Sequence, residues 1–262
     1  MSILFSGDFH ANAVSELTSI TKETLIGQYS EEIYNGIQYH IILGDGGFLW
    51  PGNAAVDTAN YRELSSRPFP VLCVIGNHEP VLGRSDLPES DIEIGEKVIV
   101  VKERKPFVAY LKRGNVYCIE NRRFLVLGGA LSIDKEYRRP NISWWENEYW
   151  TEAEKDRVFS LLERKNTVDY VLSHTGPSRI NETVFASLRV SHLPKFFDEV
   201  AVLNERIDTE IKCRQWFCGH WHEDRYYYDD RRERGYQYLY RKTAILKDDE
   251  IILSDGHRYV FK

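Results

Sequence analysis

Short apolar runs alternate with longer amphipathic segments in the first third of the chain. Residues 3–5, 40–43 and 71–75 form apolar runs with the length and side chains of buried strands. Between them, residues 13–27 and, with a weaker pattern, residues 54–66 place apolar side chains at the spacing of one helix face. This order of strand, helix and strand predicts parallel strands joined by right-handed crossovers.

The middle of the chain has a different pattern, in which short apolar runs are separated by turn or charged residues. Such runs predict antiparallel hairpins that form a second sheet. The four apolar runs are residues 97–101, 107–111, 115–119 and 123–127.

An amphipathic helix is the clearest element of the second half. Residues 152–164 carry its pattern, and Thr151 and Glu154 hold the positions of a capping box. The further predicted elements are a strand at 168–172, a helix at 195–212, and strands from Gln215 to the end of the chain, of which 236–240 and 250–253 are the clearest. No repeat, low-complexity segment or linker interrupts the chain, so the sequence predicts a single domain over residues 1–262.

Composition and the N-terminus indicate the cellular compartment and the kinds of binding partner. The chain carries 34 basic and 40 acidic residues, and its formal charge of -6 gives no general attraction to nucleic acid or to an anionic membrane. Its four cysteines include no C-x-x-C pair, which favours a reducing compartment. The stretch between Met1 and Ser6 is too short for a signal peptide, and no run approaches the roughly 18 apolar residues of a membrane span. We therefore expect a soluble, cytoplasmic protein with no membrane partner.

Polar side chains follow five of the predicted strands directly. The carboxyl ends of parallel strands in an open α/β sheet face one crevice, where ligands bind. We therefore expect these side chains to lie close together. They are two aspartates, one asparagine and five histidines: Asp8, His10, Asp45, Asn77, His78, His174, His220 and His222.

The chemistry of this set indicates divalent metal ions. Imidazole suits zinc, iron or nickel, and carboxylate and amide oxygens suit harder ions such as manganese. The set exceeds what one ion needs, whereas two ions that share a carboxylate would use it fully and could clamp both oxygens of a phosphoryl displacement. Asp45, alone on its strand end and followed by Gly46 and Gly47, is the natural bridge, although a simple turn would also explain these glycines.

The same residues carry a family resemblance. The blocks "GDFH" (7–10), "GD" (44–45), "GNHE" (76–79), "SH" (173–174) and "GHWH" (219–222) resemble, in order, the five signature blocks of the calcineurin-like metallophosphoesterase superfamily. The resemblance spans nearly the whole chain. It implies an α/β fold of the metallo-dependent phosphatase type, a four-layer αββα sandwich in which helices flank two mixed β-sheets, and it implies a dinuclear metal centre.

Matched position by position, the resemblance implies a role for each of these residues. The first ion would be held by Asp8, His10 and His222, the second by Asn77, His174 and His220, and Asp45 would lie between them. The nucleophile would be a metal-bound water or hydroxide. His78 would bind no ion but would contact the substrate phosphate and help to protonate the leaving group. Manganese is the favoured ion, and iron, zinc and nickel remain alternatives.

Two departures from the family pattern concern the phosphoprotein phosphatase branch. Many family members carry a second aspartate, often followed by Arg-Gly, after the bridging block, where this chain continues Gly46-Gly47-Phe48-Leu49. The branch's phosphate-binding arginine before the third block is replaced by Ile75. These departures weaken that assignment and leave the metal centre intact.

A further stretch, "LGGALSIDKEYRRPNISWWENE" at 127–148, resembles a subset of bacterial and phage members. We expect a substrate-binding loop here, in which Lys135, Arg138 and Arg139 neutralise a phosphate and Trp144, or its neighbour Trp145, stacks on a nucleobase. Asn77 would share in substrate binding. The tryptophans are also explained by simple packing, and "DDRRERG" at 229–235 by a solvated hairpin tip.

The sequence thus predicts a metal-dependent phosphoesterase that hydrolyses phosphate monoesters or diesters, with a nucleotide or another small phosphoester as the favoured substrate. A phosphoprotein phosphatase or a nuclease of the same fold is one alternative, and nucleic acid is a less favoured partner because of the net charge of -6. A non-catalytic metal-binding scaffold is the other. It ranks last because every matched ligand, and His78, is intact. No protein partner is indicated.

Overall fold

The structure is a computed structural model. It describes residues 1–10, 19–47, 49, 62, 66, 68–82, 86–102, 107–186 and 198–261. The predicted helix at 54–66 lies outside these residues except for positions 62 and 66, as do the first part of the predicted helix at 13–27 and residues 195–197.

Fifteen strands and five α-helices lie in the described part of the chain. The strands are β1 (Ser2–Ser6), β2 (Ile37–Ile42), β3 (Val71–Val74), β4 (Glu89–Ser90), β5 (Val98–Lys102), β6 (Val108–Leu111), β7 (Val116–Ile119), β8 (Arg122–Leu127), β9 (Tyr170–Ser173), β10 (Gln215–Cys218), β11 (Arg225–Asp229), β12 (Arg234–Tyr238), β13 (Ala244–Lys247), β14 (Glu250–Leu253) and β15 (Arg258–Val260). The helices are α1 (Lys22–Gln28), α2 (Glu31–Asn35), α3 (Glu152–Arg164), α4 (Ser178–Phe185) and α5 (Glu199–Glu210).

The strands form two mixed sheets. One has nine strands in the order β15-β14-β13-β1-β2-β3-β6-β5-β4, and the other has six in the order β11-β12-β10-β9-β8-β7. Strands β1, β2, β3 and β6 run parallel in the first sheet, and β8, β9, β10 and β12 run parallel in the second. The predicted parallel pairing of the first three strands is therefore confirmed.

The alternation of side chains along the strands places one apolar layer between the sheets and one outside each. In β1, Ile3 and Phe5 belong to the inner layer, where Phe5 stacks on Phe217 of β10 with 4.4 Å between ring centroids, and Leu4 points to the outer face. Helices α1 and α2 cover the outer face of the nine-stranded sheet, and α3, α4 and α5 cover that of the six-stranded sheet. This is the predicted four-layer αββα sandwich.

Of the two hairpins predicted to form the second sheet, one lies in that sheet and the other does not. Strands β7 and β8 do form an antiparallel hairpin in the six-stranded sheet. Strands β5 and β6 form another, but β6 pairs in parallel with β3, so this hairpin extends the first sheet instead. Local pattern identifies a hairpin, whereas the sheet that receives it depends on contacts distant in sequence.

The helices differ from prediction mainly at their ends. Helix α3 has the predicted bounds, and its capping box between Thr151 and Glu154 is confirmed. The predicted helix at 13–27 is not continuous, because Thr21 caps a new helix by accepting a hydrogen bond from the Thr24 N–H. Helices α2 and α4 were not predicted. Helix α5 is shorter than the predicted 195–212 because it begins after its cap Asp198.

The hairpin tip at 229–235 is solvated only in part. Asp229 and Arg234 at its two ends are buried. Arg234 forms an ion pair with the fully buried Asp208 of α5, with 3.1 Å between Nη1 and Oδ1, and the Tyr236 hydroxyl donates to the same carboxylate at 2.7 Å. Arg234 and Tyr236 therefore connect β12 to α5.

Candidate metal centre

The carboxyl ends of five neighbouring strands, from both sheets, supply the candidate site. Strands β1, β2 and β3 lie side by side in the nine-stranded sheet, and β9 and β10 in the six-stranded sheet. The residues that follow them meet across the gap between the sheets. They are Asp8 and His10 after β1, Asp45 after β2, Asn77 and His78 after β3, His174 after β9, and His220 and His222 after β10.

Asp45 occupies the middle of the cluster. Its Oδ2 atom lies 3.3 Å from His174 Nε2, 3.7 Å from His10 Nδ1 and 3.8 Å from His78 Nε2. This oxygen is buried and has no hydrogen-bond partner among the described residues, whereas Oδ1 accepts from the His78 backbone N–H at 2.9 Å. Burial opposes ionisation of the carboxyl, but His174 and His78 outweigh it and hold its pKa well below the usual range.

Asp8 repeats this arrangement on one side of Asp45. Its Oδ1 accepts from the His220 backbone N–H at 3.0 Å. Its Oδ2, also buried and without a hydrogen-bond partner in the described part of the chain, lies 3.4 Å from His222 Nε2 and 3.9 Å from His10 Nε2. The two histidine Nε2 atoms are 2.7 Å apart. Two imidazoles and one carboxylate oxygen therefore converge on one point.

His174 and Asn77 converge on the other side. The carbonyl oxygen of Leu43 lies 2.8 Å from His174 Nδ1, so that nitrogen carries a proton and Nε2 faces Asn77 Oδ1 at 2.9 Å. Burial opposes protonation of His174, yet the carboxylates of Asp45 and Asp8 raise its pKa to about 10. The two carboxylates therefore favour a positive charge at the position of His174. His220 lies beside His174, with ring centroids 5.0 Å apart, and burial lowers its pKa well below the ordinary value.

Donor atoms of three groups lie close enough to share an ion. Within each group they are no more than 4.8 Å apart. The groups are Asp8 with His10 and His222, Asp8 with Asp45 and His174, and His10 with Asp45 and His78. His78, which the family resemblance leaves out of the ligand set, is therefore near enough to be considered one.

The backbone of the site is strained. His10, Asp45, His220 and His222 have φ angles of 49°, 49°, 70° and 53°, in the left-handed region that residues other than glycine seldom occupy. Such conformations cost free energy and concentrate at functional sites.

Glycines make room for these side chains. A Cβ atom on Gly44 would lie 2.2 Å from His174 Nδ1, and one on Gly76 would lie 2.0 Å from Asp45 Oδ1. Both contacts are impossible for a real Cβ atom. Glycine at these two positions therefore lets the backbone approach the side chains of the site closely.

Glu79 is a residue of the site that the sequence reasoning did not assign. It is buried, and its carboxylate accepts from the Gly46 N–H, the Gly76 N–H and the Tyr110 hydroxyl, each at 2.8 Å. It therefore ties together the turns that carry Asp45 and Asn77. Burial raises its pKa to about 7. Its position inside the block "GNHE" was the available signal.

The predicted substrate loop reaches the site through Arg138. Its Nη1 lies 2.7 Å from His78 Nδ1, while Asp134 and the Ser143 carbonyl hold the same guanidinium. Arginine only donates, so His78 Nδ1 accepts from Arg138, while His78 Nε2 lies 3.8 Å from Asp45 Oδ2 and 3.2 Å from Asn77 Nδ2. Burial lowers the pKa of His78 to about 4, and the charge of Arg138 acts in the same direction.

The other predicted loop residues make different contacts. Lys135 Nζ lies 4.2 Å from the centre of the Trp144 ring and donates to the Tyr149 hydroxyl at 2.9 Å. Trp144 also packs edge-on against Tyr149. Arg139 is exposed, and its backbone N–H donates to Ser143 Oγ. These contacts fit the packing explanation of Trp144, and substrate roles for Lys135, Arg139 and Trp144 remain predictions.

Comparison with known sequences identifies the family. The sequence model described as "Calcineurin-like phosphoesterase" matches residues 1–224. The chain belongs to this family. The predicted resemblance is thereby confirmed, and the described residues include candidate ligands for divalent ions.

Comparison with solved structures finds distant similarities. The chain is similar to a predicted phosphoesterase from Streptococcus pneumoniae TIGR4, with 8% identity, a TM-score of 0.34, and coverage of 100% of this chain and 95% of the other. It is also similar to GAP50, the anchor in the inner membrane complex of Plasmodium, with 9% identity, a TM-score of 0.49, and coverage of 100% of this chain and 88% of the other. A third similar structure is a cold-active protein-tyrosine phosphatase of a psychrophilic Shewanella species, with 12% identity, a TM-score of 0.36, and coverage of 100% of this chain and 80% of the other. No curated protein matches the chain. None of the helices described here is long and apolar enough to cross a membrane.

Proposed function

We propose that this metallophosphoesterase hydrolyses phosphate monoesters or diesters at a centre of two divalent ions. The observation that carries the proposal is the pair of buried carboxylate oxygens, Asp8 Oδ2 and Asp45 Oδ2, which have no hydrogen-bond partner in the described chain and are surrounded by imidazole nitrogens. A buried, unpaired carboxylate oxygen is costly unless a cation satisfies it.

The donor set fits two ions that share one carboxylate. Asp8, His10 and His222 would hold the first ion; Asn77, His174 and His220 would hold the second; Asp45 would lie between them. Nitrogen and oxygen donors without thiolate suit manganese, our favoured ion, and also iron, zinc or nickel. When bound, such ions polarise the phosphoryl oxygens and lower the pKa of the attacking water.

The residues around the ions would orient the substrate and assist the departure of the leaving group. His78 Nε2 lies on the side of Asp45, and from there His78 would contact the substrate phosphate and help to protonate the leaving oxygen. Arg138 holds the ring of His78 by the opposite nitrogen, and its remaining guanidinium surface would attract a phosphate. A nucleotide or another small phosphoester is the favoured substrate. Lys135, Arg139 and Trp144 of the same loop would also contact it.

Hydrolysis of two model esters tests the proposal. Protein stripped of metal and refilled with manganese is assayed with nitrophenyl phosphate and with bis(nitrophenyl) phosphate. We expect metal-dependent cleavage that Asp45→Asn abolishes. The matched control Asp156→Asn, at an exposed position of α3, should retain it.

The preferred ester separates monoesterase from diesterase activity. Failure of both esters with two ions bound would contradict hydrolysis of small phosphoesters and favour the scaffold alternative. Equal cleavage by Asp45→Asn would contradict the proposed centre.

A further inference from the structure

A buried chain of hydrogen bonds connects the segment after β8 with Asn77. Glu148 accepts from Ser132 twice, from the backbone N–H at 2.9 Å and from the hydroxyl at 2.5 Å. The same hydroxyl oxygen lies 2.9 Å from Asn77 Nδ2, and Asn77 Oδ1 lies 2.9 Å from His174 Nε2. Glu148, Ser132 and Asn77 are each at most 3% exposed, so water does not compete for these bonds.

The direction of each hydrogen bond follows from the chemistry of Glu148. An ionised carboxylate only accepts, so the Ser132 hydroxyl must give its single proton to Glu148. The Ser132 oxygen then has only lone pairs to offer on its other side. Its neighbour there must be a donor, which is the Nδ2 group of Asn77.

This direction decides which end of the Asn77 amide faces the candidate metal centre. The two ends of an amide have nearly the same shape, so packing alone does not distinguish them. A reversed amide would place its oxygen against the Ser132 lone pairs and its NH2 group against the position of an ion. Only the orientation with Oδ1 inward gives the ion an oxygen ligand.

We propose that Ser132 and Glu148 are positioning residues that fix the Asn77 amide with its oxygen toward the second ion. The inference rests on the proposed function, because it assumes that Asn77 holds an ion. It assigns a task to the segment 127–148 that is independent of substrate binding. Outer residues of this kind commonly change metal affinity by about 10-fold to 100-fold.

Metal binding by Ser132→Ala is the test, with Ser143→Ala as the matched control. Ser143 lies in the same segment, and its hydroxyl accepts from the Arg139 backbone N–H instead of from Asn77. Metal-stripped proteins are titrated with Mn2+ in a calorimeter. Wild type and Ser143→Ala should bind two ions alike, whereas Ser132→Ala should bind one of the two about 10-fold to 100-fold more weakly.

Glu148→Gln provides a second variant that keeps the shape of the side chain. Glutamine accepts from only one of the two Ser132 donors, so Glu148→Gln should weaken the binding of the same ion, but by a smaller factor than Ser132→Ala. The double variant Ser132→Ala with Glu148→Gln should bind no more weakly than Ser132→Ala alone, because both changes act through one hydrogen bond.

The outcomes separate this inference from the proposed function. A wild-type protein that binds fewer than two ions would contradict the proposed function. Two ions in wild type, with unchanged affinities in Ser132→Ala and Glu148→Gln, would overturn the positioning role alone. Equal weakening of both ions in Ser132→Ala, together with a melting temperature below that of Ser143→Ala, would also overturn it, because a general loss of structure would then explain the result.

Discussion

A single methyl group at Gly76 should disturb both stability and metal binding. The ideal Cβ of Gly76→Ala would lie 2.0 Å from Asp45 Oδ1 and 2.4 Å from the Asp45 backbone nitrogen, and real Cβ atoms essentially never approach closer than 3.0 Å. The carboxylate oxygen must therefore retreat by about 1 Å and the backbone by more than half of that distance. The same oxygen accepts from the His78 N–H, so the shift also disturbs the turn after β3.

The expected cost follows from overpacking in a closely packed region, which typically destabilises by about 1–3 kcal/mol. The matched control is Gly27→Ala in α1, where no atom lies within 4 Å of the added methyl group. At this compatible, exposed position the same substitution should stabilise by about 0.4–1 kcal/mol, because alanine restricts the unfolded chain. The two variants should therefore change stability in opposite directions.

Urea unfolding of metal-stripped protein measures this difference, and Mn2+ titration measures the second consequence. Gly76→Ala should bind both ions more weakly, since Asp45 is the residue that is displaced, whereas Gly27→Ala should match wild type. A Gly76→Ala protein with wild-type stability and wild-type metal affinity would refute the close approach of Gly76 to Asp45.

Three further perturbations address separate parts of the site and fold. His78→Ala should slow turnover by roughly 100-fold and leave both ions bound, and an emptied site in metal analysis would show that His78 is a ligand. Arg138→Ala should lower kcat as well as raise KM, because Arg138 contacts His78. Steady-state kinetics measure both constants, and a change in KM alone would show that Arg138 serves only in substrate binding. Burial raises the pKa of Asp198 to about 6, so the folded state holds this proton more tightly than the unfolded chain. The free energy of unfolding should therefore fall by about 2 kcal/mol as pH rises from 4 to 6, and Asp198→Asn should lack this component in urea titrations. Equal pH profiles for the two proteins would contradict that assignment.

The convergence of the candidate site could be predicted because it depends on a general property of parallel sheets. Once β1, β2 and β3 are parallel neighbours, the residues after them must share one edge. The sequence could not show that Asp8 and Asp45 each leave one oxygen unpaired, since that depends on distances between separate loops. Nor could it show that His10 and Asp45 adopt left-handed backbone conformations.

The errors in the fold have the same origin. Helix α3 was predicted with its bounds because its capping box is a local signal within four residues. The hairpin of β5 and β6 was placed in the wrong sheet because its pairing with β3 is decided by distant contacts. The proposed roles of Ser132 and Glu148 were missed for a related reason, because nothing in a serine and a glutamate sixteen residues apart indicates that the glutamate binds the serine and the serine binds Asn77.

Anomalous diffraction from crystals grown with Mn2+ tests the central claim most directly. The account predicts two manganese peaks between the strand ends of the two sheets, with Asp45 a ligand of both ions and Asp8 and Asn77 ligands of one each. One peak only, or two peaks that share no contact with Asp45, would contradict it.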